Sequence, residues 1–416
     1  MSGTEGPALA VWLIAGLATA GVILRPFRWP EAIWAVAGAA VLVLTGLLSA
    51  GAAWRGVLRG TDVYLFLLGM MLLAEVARRE GLFDWLAVFA VRAAAGSGTR
   101  LLAVVYGVGI LTTGFLSNDA TAVVLTPAVL VAARAARANP MPHLYACALM
   151  ANAASFLLPI SNPANLVVFG EHMPPLGAWL LRFTLPSAAA IAATFLALWL
   201  TQRNILAAPI ALMVPPVQLP RSGLVAGMGT GATVVVMLGA SAIGADLGWP
   251  TFLAGTGTAL AVALATRQGI GPLFGGLSWG VLPLVAGLFV LVQALEATGA
   301  VRMLAGLVRD GGAGTALAAG AAVAFGTNVT NNLPAGLLAG AVVQAAGAGG
   351  LLPGAVLIGI DLGPNLSVTG SLATILWMSA IRREGLAVTD WQFLRLGALV
   401  MPPALLLALG ALALQP

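Results

Sequence analysis

The chain has 416 residues, 60% hydrophobic and 8% charged, with a formal net charge of +5 and a mean hydropathy of +1.01. A soluble domain carries roughly 25% charged residues, so this composition excludes a soluble enzyme and points to a chain built for lipid. Its basic residues are all Arg, placed singly or in pairs at the ends of apolar segments, which excludes a nucleic-acid-binding face. The single cysteine, Cys147, excludes an internal disulfide and any multi-thiolate metal site.

In chain order, the first apolar run spans 9–24. It lacks a basic leader and is followed by further runs, so it reads as a true span rather than a cleaved signal. Spans are expected at 31–53 and 61–80, the latter carrying Glu75. Residues 100–138 then hold a polar tip, Ser117-Asn118-Asp119, midway along an otherwise apolar stretch. That suits a re-entrant hairpin whose arms stop halfway. The next span, 143–169, is broken at "LPISNPANL", where Pro159 and Pro163 cannot continue a helix. A last span at 177–201 closes a first repeat, 1–205, and a Pro-rich linker, 206–221, leads into a second, 222–416.

The second repeat resembles the first. "RWPEAIWAVAGAAVLVLTG" at 28–46 matches "GWPTFLAGTGTALAVALAT" at 248–266, and "GMMLLAEVARREG" at 69–81 matches "GLFVLVQALEATG" at 287–299. Glu75 then falls on Gln293, and Ser117-Asn118-Asp119 on Thr330-Asn331-Asn332. The counterpart of the broken span is 353–380, interrupted at "DLGPNLSVTGSLAT", and 391–414 is the final span. Five crossings per half is an odd number, so the second repeat is expected to be inverted. The fold predicted is an all-α polytopic membrane protein of two inverted repeats, each with a re-entrant hairpin and a broken helix, a transporter architecture. Arg55, Arg59, Arg182, Arg302 and Arg309 fall on one side of this layout and the remaining Arg on the other. The positive-inside rule makes the richer side cytoplasmic and puts both termini in the periplasm.

Irregular backbone within a bilayer is tolerated only where protein buries it or a wet cavity meets it. Four such places are expected: 113–121, 161–165, 327–332 and 361–374. They gather Asn118, Ser161, Asn162, Asn165, Asn331, Asn332, Asn365, Thr369, Ser371 and Thr374, two carboxylates, Asp119 and Asp361, and no Arg. Such a set suits a cation, or a small neutral polyhydroxy solute exchanged for a proton, better than an anion. Asp119 and Asp361 are the first candidates for the coupled proton and Glu75 the third. The bland alternatives are an N-cap role for Asp119, matched by Asn332, interhelical hydrogen bonding by the amides, and packing for Cys147. His143, His172 and Glu296 read as interfacial, and Trp29, Trp34, Trp54, Trp249 and Trp279 as an aromatic belt. With two His and one Cys there is no evident nucleophile or metal cluster, so an enzyme is not expected, nor is a cofactor.

"FLSNDATAVVLTP", "LPISNPANLVV", "TNVTNNLPAGLLAG" and "GIDLGPNLSVTGSLATILW" together resemble the arsenite efflux permeases of the ion transporter superfamily, over nearly the whole chain. The resemblance implies extrusion of arsenite or antimonite, as As(OH)3 or Sb(OH)3, across a bacterial inner membrane. The proton gradient drives it, alone or with a soluble arsenite-stimulated ATPase subunit. It implies cargo held between hairpin tips and helix breaks and moved by an elevator-like slide. Carried over, the substrate residues are Asn118, Asp119, Asn331 and Asn332 at the tips, with Ser161, Asn162, Asn165, Ser371 and Thr374 at the breaks and Asp361 beside them. The resemblance thus makes the hydroxide the expected cargo, held by hydrogen bonds, since the lone Cys147 cannot supply several thiolates. A sodium/proton antiporter of the same superfamily is the alternative.

Overall fold

The computed structural model describes residues 5–170, 173–211, 215, 217–267, 269–347, 349–386 and 388–415. His172 and linker residues 212–214 and 216 lie outside them. Every named element among the described residues is helical. In lipid a helix satisfies its own backbone donors and acceptors, which open sheet edges cannot do.

Six helices are long and apolar enough to cross a membrane singly, and two bent pairs pass the same test together. One is the arm Gly98–Phe115, which the sequence assigns to a hairpin rather than a crossing. The interval 31–53 is not one span. The helix Glu31–Leu44 stops after 14 residues, about 21 Å at 1.5 Å per residue. Gly46 then turns the chain with φ +75°, and Ser49 caps a new helix, Ala50–Arg59, by accepting from the Ala52 N–H at 3.2 Å. That helix meets Thr61–Arg79 at a 45° bend. The second half has a bent pair of its own, Val281–Ala297 with Ala300–Arg309, at 76°. The helix Leu82–Ala93, between the third span and the hairpin, was not anticipated as a separate element.

The first hairpin runs from Gly98–Phe115 through a turn at Leu116 and Ser117 into Asn118–Ala120, a π-helical stretch at Thr121–Leu125, and Thr126–Ala135. The second runs from Ala313–Thr330 into Asn332–Ala346, with Asn331 at φ 69° between them. The broken spans are Met141–Ala153 with Pro163–Phe169, and Leu352–Leu362 with Leu372–Arg383.

Packing between the halves is reciprocal. Glu31–Leu44 lies on Val281–Ala297, while Gly248–Thr266 lies on Thr61–Arg79. At the first crossing a Cβ on Gly287 would collide with the Ala35 backbone; at the second, one on Gly255 would collide with the Gly69 backbone. These are the positions that the repeat alignment equates, and small residues are what allow such close approach. Likewise Pro163–Phe169 packs on Asn332–Ala346, and Leu372–Arg383 packs on the Thr121–Leu125 stretch of the first hairpin. The long helices Leu176–Leu206 and Asp390–Ala413 lie against each other. Of the expected belt, Trp29, Trp54, Trp249 and Trp279 are exposed, whereas Trp34 is half-buried and stacks on Trp29 at 5.7 Å.

Candidate functional site at the helix breaks

Each break begins with a side chain that caps a helix. In the first broken span Asn162 accepts from the Ala164 N–H at 3.0 Å, and Pro163 fills the first helical position, where its missing donor costs nothing. In the second, Ser371 and Thr374 form a capping box, Ser371 Oγ accepting from the Thr374 N–H at 3.1 Å. At the hairpin tips the caps are Ser117, accepting from the Ala120 N–H at 3.1 Å, and Asn331, accepting from the Leu333 N–H at 3.3 Å. The cap expected at Asp119 and Asn332 therefore belongs one or two residues earlier, and both side chains are free of that task. Asn118 accepts from the Asp119 N–H at 2.9 Å.

Hydrogen bonds tie the breaks together. Asn162 Nδ2 donates to Asp361 Oδ1 at 2.7 Å, joining the two broken spans in the buried interior. Asn152 Nδ2 donates to Asn365 Oδ1 at 3.0 Å, and Asn365 in turn donates to the Leu149 carbonyl at 2.9 Å. Ser161 Oγ donates to the Gly114 carbonyl at 3.2 Å, linking the first break to the first hairpin. Asn331 Nδ2 donates to the Thr369 carbonyl at 3.3 Å, linking the second hairpin to the second break. Asn165 Nδ2 is shared among the carbonyls of Ser155, Leu158 and Pro159.

Three buried oxygens in this network accept no hydrogen bond from any described residue: Asn165 Oδ1, Asn332 Oδ1 and Asp361 Oδ2. They stand near the break ends of Pro163–Phe169, Asn332–Ala346 and Leu352–Leu362, and each of these three helices packs on the other two. Buried acceptors are normally paired. Here three are left without a partner, on three helices that pack on one another.

The remaining carboxylates sit elsewhere. Asp119 is half-buried and lines a cavity of about 240 Å³, with Ser117 beside it, Pro163 and Leu372 at the breaks, and Glu75 and Arg78 on Thr61–Arg79. Glu75 is buried in a double ion pair, with Arg78 at 2.7 Å and Arg79 at 2.6 Å. A second cavity, of about 370 Å³, is lined from both halves, by Asp62 and Leu166 of the first and Glu296, Leu337 and Gln344 of the second, and Glu296 pairs with Arg59 at 3.0 Å.

His143 is not interfacial: it is 1% exposed, packed within the first turn of Met141–Ala153. Cys147 is fully buried in the same helix. Among the described residues no cluster of three or more His, Cys, Asp or Glu side chains is placed to hold a metal ion.

Asn328 and Ser367 join the site although they are not among the residues expected from the sequence. Asn328 donates to the Gly363 carbonyl at 3.1 Å, and its own Oδ1 accepts from Ser367 Oγ at 2.7 Å, clamping the second hairpin onto the second break. Both stand in stretches already marked polar, "TNVTNN" and "PNLSVTGS", which was the available signal.

Capped breaks, paired hairpins and open buried acceptors within a multi-pass helical bundle define a membrane carrier. The chain belongs to the citrate transporter family, whose model matches residues 11–381. It is 26% identical over 404 residues to an arsenical pump membrane protein of Escherichia coli K12, covering 92% of each chain. To the arsenical pump membrane protein of Yersinia enterocolitica it is 26% identical over 427 residues, covering 98% of this chain and 96% of that one. An uncharacterized transporter of Mycobacterium tuberculosis is 24% identical over 426 residues, with 96% and 97% covered. Among solved structures, the Alcanivorax borkumensis YdaH transporter aligns over 98% of this chain and 97% of its own, with a TM-score of 0.56 at 15% identity. That last likeness is one of fold.

Proposed function

We propose that this carrier extrudes trivalent arsenic or antimony, as As(OH)3 or Sb(OH)3, from the cytoplasm in exchange for protons. The carrying observation is the trio of open acceptors at Asn165, Asn332 and Asp361. A trihydroxide brings three O–H donors, one for each. Each neutral bond is worth about 0.5–1.5 kcal/mol net, so three of them bind weakly enough for the cargo to leave. Arsenical pump relatives along nearly the full chain point the same way. A citrate-like anion fits this site poorly, because no Arg stands in the breaks, and Arg78 in the adjoining cavity is engaged by Glu75.

Exchange of a neutral cargo for H+ needs a protein group that takes up and releases the proton. Asp119, facing a cavity, and Asp361, with one oxygen open, are the groups for it. Glu75, already compensated by two guanidiniums, is less suited. In this reading the hairpins and broken spans slide as a body past the crossing Gly69 and Gly287 helices. The protein lies in the bacterial inner membrane, with both termini periplasmic and the Arg78 side cytoplasmic.

The test is uptake into everted vesicles. An imposed proton gradient is expected to drive accumulation of radiolabelled arsenite, and a sodium gradient alone is not. Accumulation driven by sodium would favour a sodium/proton antiporter; no accumulation with either gradient would overturn the reading.

A further inference from the structure

The helix Thr61–Arg79 sets two guanidiniums against one buried carboxylate. Glu75 is gripped by Arg79, which is fixed a second time by the Pro272 carbonyl at 2.5 Å. Arg78 adds a second grip through two further contacts, Nη2 to Oε1 at 2.7 Å and Nε to Oε2 at 2.8 Å. Its side chain is 48% exposed and lines the same cavity as Asp119, whose carboxylate accepts no hydrogen bond from any described residue. Asp84, exposed to water on Leu82–Ala93, also lies near Arg78. The lining contributed by 276–281 and 372–376 presents no charged side chain. A half-exposed cation and a carboxylate without a described partner thus line one small cavity. They sit on different packed groups: Arg78 on a helix laid against Gly248–Thr266, Asp119 on a hairpin laid against Leu372–Arg383.

We propose that Arg78 is a coupling residue that leaves Glu75 to pair with deprotonated Asp119 when the carrier is empty, and so holds the empty carrier in place. The inference rests on the reading of Asp119 as a proton-carrying group. A proton on Asp119 removes the charge that attracts the guanidinium. Cargo held at the open acceptors is expected to free the hairpin in the same way, by parting Arg78 from Asp119. Arg78 then returns to Glu75, and the hairpin is free to move. The one species kept immobile is the empty, deprotonated carrier, whose movement would let protons cross without arsenic.

Reconstituted full-length protein with a pH-sensitive dye in the vesicle lumen tests this. Arg78→Ala is expected to raise the arsenite-independent proton leak about tenfold, the factor controlled by an interaction of about 1.4 kcal/mol. Arg78→Lys should return it toward the wild-type value, and Arg78→Ala in an Asp119→Asn background should abolish it. Glu75→Gln, which frees Arg78 for Asp119, should slow arsenite counterflow, and this arm decides the matter if Arg78→Ala does not fold. A wild-type leak in Arg78→Ala, or wild-type counterflow in Glu75→Gln, would overturn the proposal while leaving the transport reading intact. If Asp119→Asn still accumulates arsenite against its gradient, Asp119 carries no coupled proton and the underlying reading of that residue fails instead.

Discussion

Removing the Asn162 side chain tests the centre of the site, because that one amide does two jobs. Its oxygen caps Pro163–Phe169 and its nitrogen is the donor to buried Asp361. Loss of the cap costs about 0.5–2 kcal/mol. Loss of a hydrogen bond to a charged group costs about 1.5–3 kcal/mol, and to a neutral one about 0.5–1.5 kcal/mol. Asn162→Ala is thus expected to destabilise the protein by about 2–5 kcal/mol if Asp361 is charged, and by about 1–3.5 kcal/mol if it is neutral. A double-mutant cycle with Asp361→Ala removes the cap contribution and isolates the pair. The assay is reversible unfolding in mixed micelles by SDS titration. A coupling of about 1.5–3 kcal/mol marks a charged partner and about 0.5–1.5 kcal/mol a protonated one. Repeating the cycle at several pH values locates the transition, with the larger coupling on the alkaline side. A coupling indistinguishable from zero at every pH would refute the contact and the site built around it.

Cys147→Ser is expected to keep arsenite efflux in a resistance assay, since a single buried thiol cannot supply a multi-thiolate site; complete loss of transport by folded protein would point to sulfur ligation. Asn118→Ala is expected to lower efflux without loss of membrane expression. At the other tip Asn331→Gly is the cleaner change, because glycine accepts the φ of 69° while removing the amide; full resistance in both variants would remove the tips from the site. Gly69→Ala and Gly287→Ala should each cost about 1–3 kcal/mol by thermal unfolding, because either Cβ would meet backbone of the opposite half. A neutral result for one and not the other would show that the two crossings are not equivalent.

The positions of the breaks were legible because Pro, Asn and Ser interrupt apolar runs that have no other reason to contain them. Their division of labour was not. A cap is decided by which residue stands at the last non-helical position, and a shift of one or two residues passed that role from Asp119 to Ser117 and from Asn332 to Asn331. The pairing of Glu75 with Arg78 and Arg79 follows the i,i+3 and i,i+4 spacing of one helix face, so it was legible, and it compensates the carboxylate that the sequence offers as a proton site. The stop at Leu44 was hidden because Gly46 sits in an apolar run that scores as one span. His143 looked interfacial from its place near a span end, and only the packing of neighbouring helices over it shows that it is buried.

Each embedded acid has an amide as its counterpart in the other half. Asp119 is matched by Asn332 and Glu75 by Gln293 in the repeat alignment, and Asp361 by Asn152, each one residue before the end of its half-helix. An amide is nearly isosteric with a carboxylate, so the pseudo-symmetric packing is kept while charge is confined to one member of each pair. Acids in both would bring like charges into a shared interior, where repulsion is weakly screened. This predicts that the exchange Asp119→Asn with Asn332→Asp still folds, at a cost of about 1–3 kcal/mol set by burying an acid at unpartnered Asn332 and not by volume. It should nevertheless fail to accumulate arsenite in everted vesicles. The acid would then stand in the repeat where Glu296 occupies the position equivalent to Arg78, so no guanidinium faces it in the same register. Wild-type accumulation by the exchanged protein would mean that the side on which the acid stands is immaterial, and the charge asymmetry would lose its role in coupling.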